Sequence, residues 1–209
     1  MASTIIHMAV ANEINKSLKR DNDLLLIGSI APDLSRQIGE SKVESHFLEN
    51  IDNDIPNIDK FLDKYKNKLS DDFVMGYFIH LYTDYLWFKY FIPEIYQNDI
   101  ITKLDGTKVK CNGRMIDMYI YNDYTNLNTR LLDEYNMDLS IFYNDLPKIN
   151  NNITEIPIDK LHVLIDKMSV IIANSKEHKD FVIELNNIKQ FIEMSVTLIL
   201  ERIKEIGSE

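Results

Sequence analysis

Histidine and aspartate residues that could bind a metal ion recur through the N-terminal half of the chain. His80 and Asp84 lie four residues apart in DFVMGYFIHLYTDYLWFKYF, which runs from Asp72 to Phe91 and is otherwise almost wholly apolar or aromatic. On a helix this spacing places both side chains on one face. Because an unpaired buried polar group costs about 1–3 kcal/mol, the pair needs a partner. Either the two side chains satisfy each other, or both bind a metal ion.

Three further side chains extend this pair to a set of nitrogen and oxygen ligands. His7 lies in IIHMAVANEI, Asp33 follows a proline in GSIAPDL, and His46 lies in SHF. Imidazole and carboxylate groups suit zinc, and also iron, manganese or nickel. Asp33 could instead be an ordinary helix or turn cap. The two other histidines, His162 and His178, fall on polar, lysine-rich faces and are expected at the surface.

Helices are expected to carry the first of these ligands. The apolar spacing predicts a first helix that runs to about residue 20. A short second helix is expected to begin at Asp21 and to end at Gly28. Pro32 is expected to force Ala31 out of helical geometry. Asp33 would then lie on an extended turn with its carboxylate directed inward.

The sequence predicts an all-α fold, a multi-helix bundle around a buried central helix at about residues 71–91, in a single domain spanning 1–209. Pro93 is expected to end that helix. Gly76, one turn before His80, either leaves space beside the histidine or permits close helix packing. Asp105-Gly106 predicts a small β-hairpin insertion near residues 100–110. Further helices are expected over residues 58–69, 114–121, 126–135, 159–173 and 180–206, of which the second and third are either separate or one continuous helix.

Composition excludes several classes of function. The net charge of −10 is unfavourable for nucleic-acid binding, because binding to a duplex depends on Lys and Arg side chains that neutralise its phosphates. The central segment has the length of a membrane span, but His80, Asp84 and Lys89 lie within it, so a buried helix is favoured and no transmembrane segment is expected. Cys111 is the only cysteine, and MASTIIHMAVANEI lacks signal-peptide features, so a cytoplasmic protein is expected.

Together IIHMAVANEI, GSIAPDL, SHF and GYFIHLYTDYLW resemble the zinc-dependent phospholipase C family over roughly residues 3–92. This all-helical family is related in fold to single-strand nucleases. The resemblance implies an all-helical fold in which Asp84 bridges two zinc ions. One ion would be held with Asp33, His46 and His80, and the other with His7.

The family has a further zinc site built from a histidine pair and a glutamate. Here no histidine occurs between His80 and His162. Asp123 is therefore the candidate for a replacement ligand.

The resulting hypothesis is a metal-dependent hydrolase that acts on a phosphate ester through a metal-activated water, with one or two zinc ions as cofactor. Asp33 is the candidate general base. Arg130 or Arg114 could hold the phosphate of a small phosphate-ester or phospholipid substrate. The alternative is a non-catalytic metal-binding helical domain. Hydrolysis of a generic phosphodiester that depends on His80 would distinguish the two.

Overall fold

A computed structural model describes residues 1–112, 116–150, 153–173 and 180–208. The α-helices are α1 (Thr4–Leu18), α2 (Asn22–Ile30), α3 (Leu34–Gln37), α4 (Lys42–Ser45), α5 (Ile58–Tyr65), α6 (Asp72–Leu86), α7 (Ile92–Ile95), α8 (Ile116–Glu134), α9 (Leu161–Ala173) and α10 (Leu185–Ser208). The strands are β1 (Tyr96–Gln97), β2 (Ile100–Thr102) and β3 (Lys108–Lys110). The expected helical bundle with a small β insertion is confirmed.

Helix α6 is the buried centre of the bundle, as predicted. Asp71 caps its start by accepting a hydrogen bond from the Val74 N–H. Helix α2 packs along α6 more extensively than any other element, while α1, α5 and α10 cover its remaining sides. Apolar side chains from Ala2 to Ile206 form one hydrophobic core around it. The apolar composition of α6 thus reflects burial on every side.

The contact between α2 and α6 depends on two glycines. A Cβ atom on Gly76 would lie 2.1 Å from the Leu25 carbonyl oxygen, and one on Gly28 would lie 2.2 Å from the Phe73 carbonyl oxygen. The close-packing alternative for Gly76 is therefore correct. Gly28 does not end α2 as expected, because here it serves helix contact and the helix continues to Ile30.

Neither Pro32, after α2, nor Pro93, after α6, breaks the helical path as the sequence suggests. Ala31 keeps helical dihedral angles, and Ala31–Asp33 form a 3₁₀ turn with Pro32 in its first turn, where a missing N–H is tolerated. The expected extended turn at Asp33 is wrong for this reason. After α6 a π-helical turn, Trp87–Phe91, leads directly into α7, so the helical path continues past Pro93.

The remaining differences are small. The predicted hairpin gains a third strand, since β1 pairs antiparallel with β2, which pairs antiparallel with β3. Helix α10 begins at Leu185 rather than at residue 180, and α5 gives way to a 3₁₀ turn, Lys66–Lys68. Within the described residues, no helix is both long and apolar enough to cross a membrane.

Candidate metal centre

Five predicted ligands converge at the centre of the bundle. His7 comes from α1, Asp33 from the 3₁₀ turn, His46 from the residue after α4, and His80 and Asp84 from α6. Each is at most 5% exposed. They form two groups, His7–His80–Asp84 and Asp33–His46–His80, and in each group one ligand atom per residue lies within 4.8 Å of the others. Each group could hold a metal ion.

The two carboxylate oxygens of Asp84 face different histidines. Its Oδ1 lies 3.3 Å from His7 Nε2 and accepts a 3.0 Å hydrogen bond from the Ala2 backbone N–H. Its Oδ2 lies 3.7 Å from Nε2 of both His46 and His80. Asp84 thus contacts both groups, one oxygen to each side.

A backbone carbonyl fixes the orientation of His80. Its Nδ1 lies 2.8 Å from the carbonyl oxygen of Ser29 near the end of α2. A carbonyl can only accept, so Nδ1 of His80 carries the proton and Nε2 presents its lone pair to the cluster. The His7 ring stacks on His80 with centroids 3.7 Å apart and a 14° angle between planes.

Two buried hydroxyl groups support His46. Its Nδ1 lies 2.9 Å from Ser45 Oγ, which lies 2.5 Å from Ser35 Oγ, and Ser35 Oγ donates to the Pro32 carbonyl. When His46 Nδ1 donates, each hydroxyl passes its own proton onward and the chain ends on an acceptor. His46 Nε2 then also presents a lone pair, as a metal ligand requires. The Tyr77 hydroxyl holds the same segment by donating to the Ser45 carbonyl at 2.6 Å.

The spacing of the donor atoms fits a small divalent cation. Ligands 2.0–2.2 Å from a tetrahedral ion lie about 3.3–3.6 Å from one another. Nε2 of His46 and His80 are 3.2 Å apart, and His46 Nε2 lies 3.7 Å from Asp33 Oδ1. Among the described residues, Asp33 Oδ1, Asp84 Oδ2 and both nitrogens of His7 are buried without a hydrogen-bond partner. Cations in the two groups would satisfy the two carboxylate oxygens and one nitrogen of His7, whose other nitrogen carries the ring proton.

The protonation states of Asp33, Asp84 and His80 are also those that metal ligands need. Burial raises the pKa of Asp33, but the neighbouring His46, His80 and His7 rings outweigh it and lower that pKa to about 2. Burial likewise opposes a charge on Asp84, yet His7 and His80 hold the pKa of that carboxyl well below its usual range. Burial lowers the pKa of His80 to about 3. At neutral pH these groups are carboxylates and a neutral imidazole, the forms that bind metals.

Comparisons of the chain with protein-family models, with curated proteins and with solved structures give no match. The resemblance to the zinc-dependent phospholipases C therefore stays a prediction, and the candidate centre stands on its geometry.

Asp123 and Arg130, two further predicted site residues, lie apart from the cluster. Both carboxylate oxygens of Asp123 accept backbone hydrogen bonds, all at 2.9 Å, from the N–H groups of residues 181–183. Asp123 therefore fastens the segment before α10 to α8 and is not brought to the metal ligands. Arg130 donates to Asp180 at 3.1 Å and pairs with it. Arg114 and His178 fall outside the described residues, and His162 is exposed as expected.

Sequence reasoning missed the residues that orient the ligands. Ser45 directly precedes His46, and that adjacency in SHF was an available signal. Ser29 acts through its carbonyl, which no side-chain pattern reveals. Arg36 lines the cavity beside Asp33 and follows it by three residues, a spacing that places both on one helical face.

Proposed function

We propose that the protein is a metal-dependent hydrolase of phosphate esters, with zinc as the expected ion and His7, Asp33, His46, His80 and Asp84 as its ligands. One observation carries the proposal. Five buried ligands from four segments of the chain meet, with carboxylate oxygens that lack hydrogen-bond partners, while His80 has its proton fixed on the far side of the ring. The sequence resemblance to zinc-dependent phospholipases C supports the same reaction class.

The cluster borders a cavity through which a substrate could approach. Asp33 and Thr4 both line a cavity of about 340 Å³ next to the ligands. A volume of about 300–1,000 Å³ is typical of small-molecule sites. This access favours catalysis over a purely structural ion, which needs no entrance.

In the proposed reaction, side chains next to the ions would orient the attacking water. Bound divalent ions polarise a phosphate ester and lower the pKa of water to about 7. Asp33 Oδ1 is buried beside His46, whereas Oδ2 accepts a 3.2 Å hydrogen bond from the Thr4 hydroxyl at the cavity. We assign to Oδ2 the orientation of the attacking water. Burial raises the pKa of Asp33, but the neighbouring His46, His80 and His7 lower it overall, so Asp33 is a carboxylate at neutral pH and can orient the water.

The second candidate is a non-catalytic domain that an ion stabilises. The complete burial of His7, His80 and Asp84 favours it, since a structural ion is commonly enclosed. The two candidates agree on metal binding and differ on turnover.

Metal analysis followed by a hydrolysis assay tests the proposal. We expect the purified protein to contain a transition metal, with zinc, iron, manganese and nickel measured together by mass spectrometry. The loaded protein should hydrolyse bis-p-nitrophenyl phosphate or p-nitrophenyl phosphate. His80→Ala should abolish hydrolysis with an unchanged circular dichroism spectrum, and His162→Ala, at an exposed histidine, should not. Full metal loading without turnover of either ester, or of a phospholipid, would support the non-catalytic candidate.

The proposed compartment is the cytoplasm. Cys111 is a buried free thiol, which fits a reducing environment.

A further inference from the structure

Arg36 lines the same cavity as Asp33 and is a second group suited to binding a phosphate ester. The cavity lies between the start of α1, the Asp33–α3 segment and α8, and it is lined in part by Arg36, Tyr121, Tyr124 and Val170. Asp33 belongs both to the cavity lining and to the candidate metal ligands. A molecule bound in the cavity would therefore lie next to the metal ligands.

Arg36 has unused hydrogen-bonding capacity in this cavity. Its Nη1 donates to the Tyr121 hydroxyl at 2.6 Å, and its guanidinium carbon lies 5.3 Å from the centre of the Tyr121 ring. Within the described parts of the chain, the Arg36 guanidinium makes no other hydrogen bond and no ion pair. A guanidinium has five N–H donors in a planar fork, so it can still bind an anion through two of them.

The charges around the cavity favour an anion once the ligands hold an ion. Among the described residues that line the cavity, Asp33 is the only acidic one, and a divalent cation would neutralise it. Burial opposes the charge on Arg36, but the Tyr121 phenol and the charges of Asp33 and Asp117 raise its pKa overall. Arg36 therefore remains a cation at the cavity.

The rest of the lining is unsuited to a charged organic group. Tyr121, Tyr124, Val170 and Ala2 present rings and aliphatic carbon, and the Tyr124 hydroxyl already donates to a backbone carbonyl. The polar side chains of the lining carry no charge; they are Ser3, Thr4, Gln37, Thr125 and Asn128. The described part of the lining offers no second carboxylate to pair with a cationic head group. The lining fits an uncharged apolar or aromatic group of modest size.

We propose that Arg36, held by Tyr121, binds the phosphoryl group of the substrate, and that the organic part of this ester is small, uncharged and apolar or aromatic. The inference rests on the proposed function for its reaction and assigns to Arg36 the role that the sequence suggested for Arg130 or Arg114. Tyr121 is a positioning residue, since it acts through Arg36.

Calorimetric binding of inorganic phosphate to zinc-loaded, desalted protein tests the inference without turnover. One or two charge-assisted hydrogen bonds are worth about 1.5–3 kcal/mol, so Arg36→Ala should weaken phosphate binding roughly 10- to 150-fold. Arg36→Lys should restore part of the affinity, and Tyr121→Phe should weaken it less than Arg36→Ala. Arg202→Ala, which removes an arginine on α10, should match the wild type. Zinc content should be equal in all variants.

The competing assignments give distinct outcomes. Wild-type affinity in both Arg36 variants, no phosphate binding by the wild type, or a larger loss in Arg130→Ala would each overturn the inference. Phenyl phosphate should bind more tightly than phosphorylcholine, and the reverse order overturns the proposed substrate class. Arg36-dependent phosphate binding without ester hydrolysis would reject the proposed function and leave the anion site standing.

Discussion

Gly28 and Gly76 meet backbone to backbone where α2 crosses α6. A Cβ atom on Gly28 would lie 3.1 Å from Gly76 Cα, and one on Gly76 would lie 3.0 Å from the Gly28 carbonyl carbon. This approach brings the Ser29 carbonyl within 2.8 Å of His80 Nδ1. Helix packing and the orientation of a candidate ligand therefore depend on the same contact.

Gly76→Ala should damage stability and metal binding together. The added methyl would push α2 from α6, at a cost of about 1–3 kcal/mol for an overpacked core, and would lengthen the Ser29–His80 bond. Denaturant unfolding should show the loss, and a chelator competition should show weaker zinc binding. Gly207→Ala is the matched control, because a Cβ there meets no atom within 4 Å. Unchanged stability in Gly76→Ala would contradict the packing.

Ser45→Ala should weaken metal binding without unfolding the protein. The substitution removes the partner of His46 Nδ1, and loss of such a supporting hydrogen bond typically costs 10- to 100-fold in metal affinity. A competing fluorescent chelator measures the affinity. Ser208→Ala, at an exposed serine, should bind zinc as the wild type does. Equal affinities in the two variants would show that the hydroxyl chain does not support His46.

Asp84→Asn and Asp123→Asn should separate binding from folding. Asp84 contacts both ligand groups, so its amide variant should lose most bound metal, measured as ions per chain. Asp123→Asn should keep the full metal content and lose about 2–3 kcal/mol of unfolding free energy, since it weakens charged hydrogen bonds to residues 181–183. A loss of metal in Asp123→Asn would restore Asp123 as a candidate ligand.

Acid should destabilise the metal-free protein through His80. Its pKa is 6.5 in the unfolded chain and about 3 in the folded one, so between these values only the unfolded chain binds the proton. The free energy of unfolding should fall by about 1.4 kcal/mol per pH unit from this group as the pH drops from 6.5 toward 3. Urea unfolding at a series of pH values measures the slope. His80→Gln should flatten it, whereas His162→Gln should not.

Features that depend on local pattern were predictable from the sequence. The apolar composition of residues 71–91 revealed the central helix, and the pairing of His80 with Asp84 followed from helical spacing. Asp105-Gly106 revealed the hairpin through its turn chemistry. In each case the residues that form the feature are close in sequence.

Features that depend on distant partners were not predictable in this way. Gly28 has the appearance of a helix end, and only its contact with Gly76 explains why α2 continues through it. Asp123 has the appearance of a ligand, but its hydrogen-bond partners lie 58 to 60 residues away in the chain. The 3₁₀ turn at Ala31–Asp33 likewise overrides the local effect of Pro32, because it continues directly from the packed end of α2.

Asp33 Oδ1 and Asp84 Oδ2, which lack hydrogen-bond partners, also affect the lifetime of the protein in a cell. If an ion is what satisfies them, a chain without it keeps two uncompensated acceptors in its core and opens more often. Proteases degrade the opened form, so abundance would follow the supply of metal. Metal shortage would then reduce the amount of protein as well as the occupancy of its site.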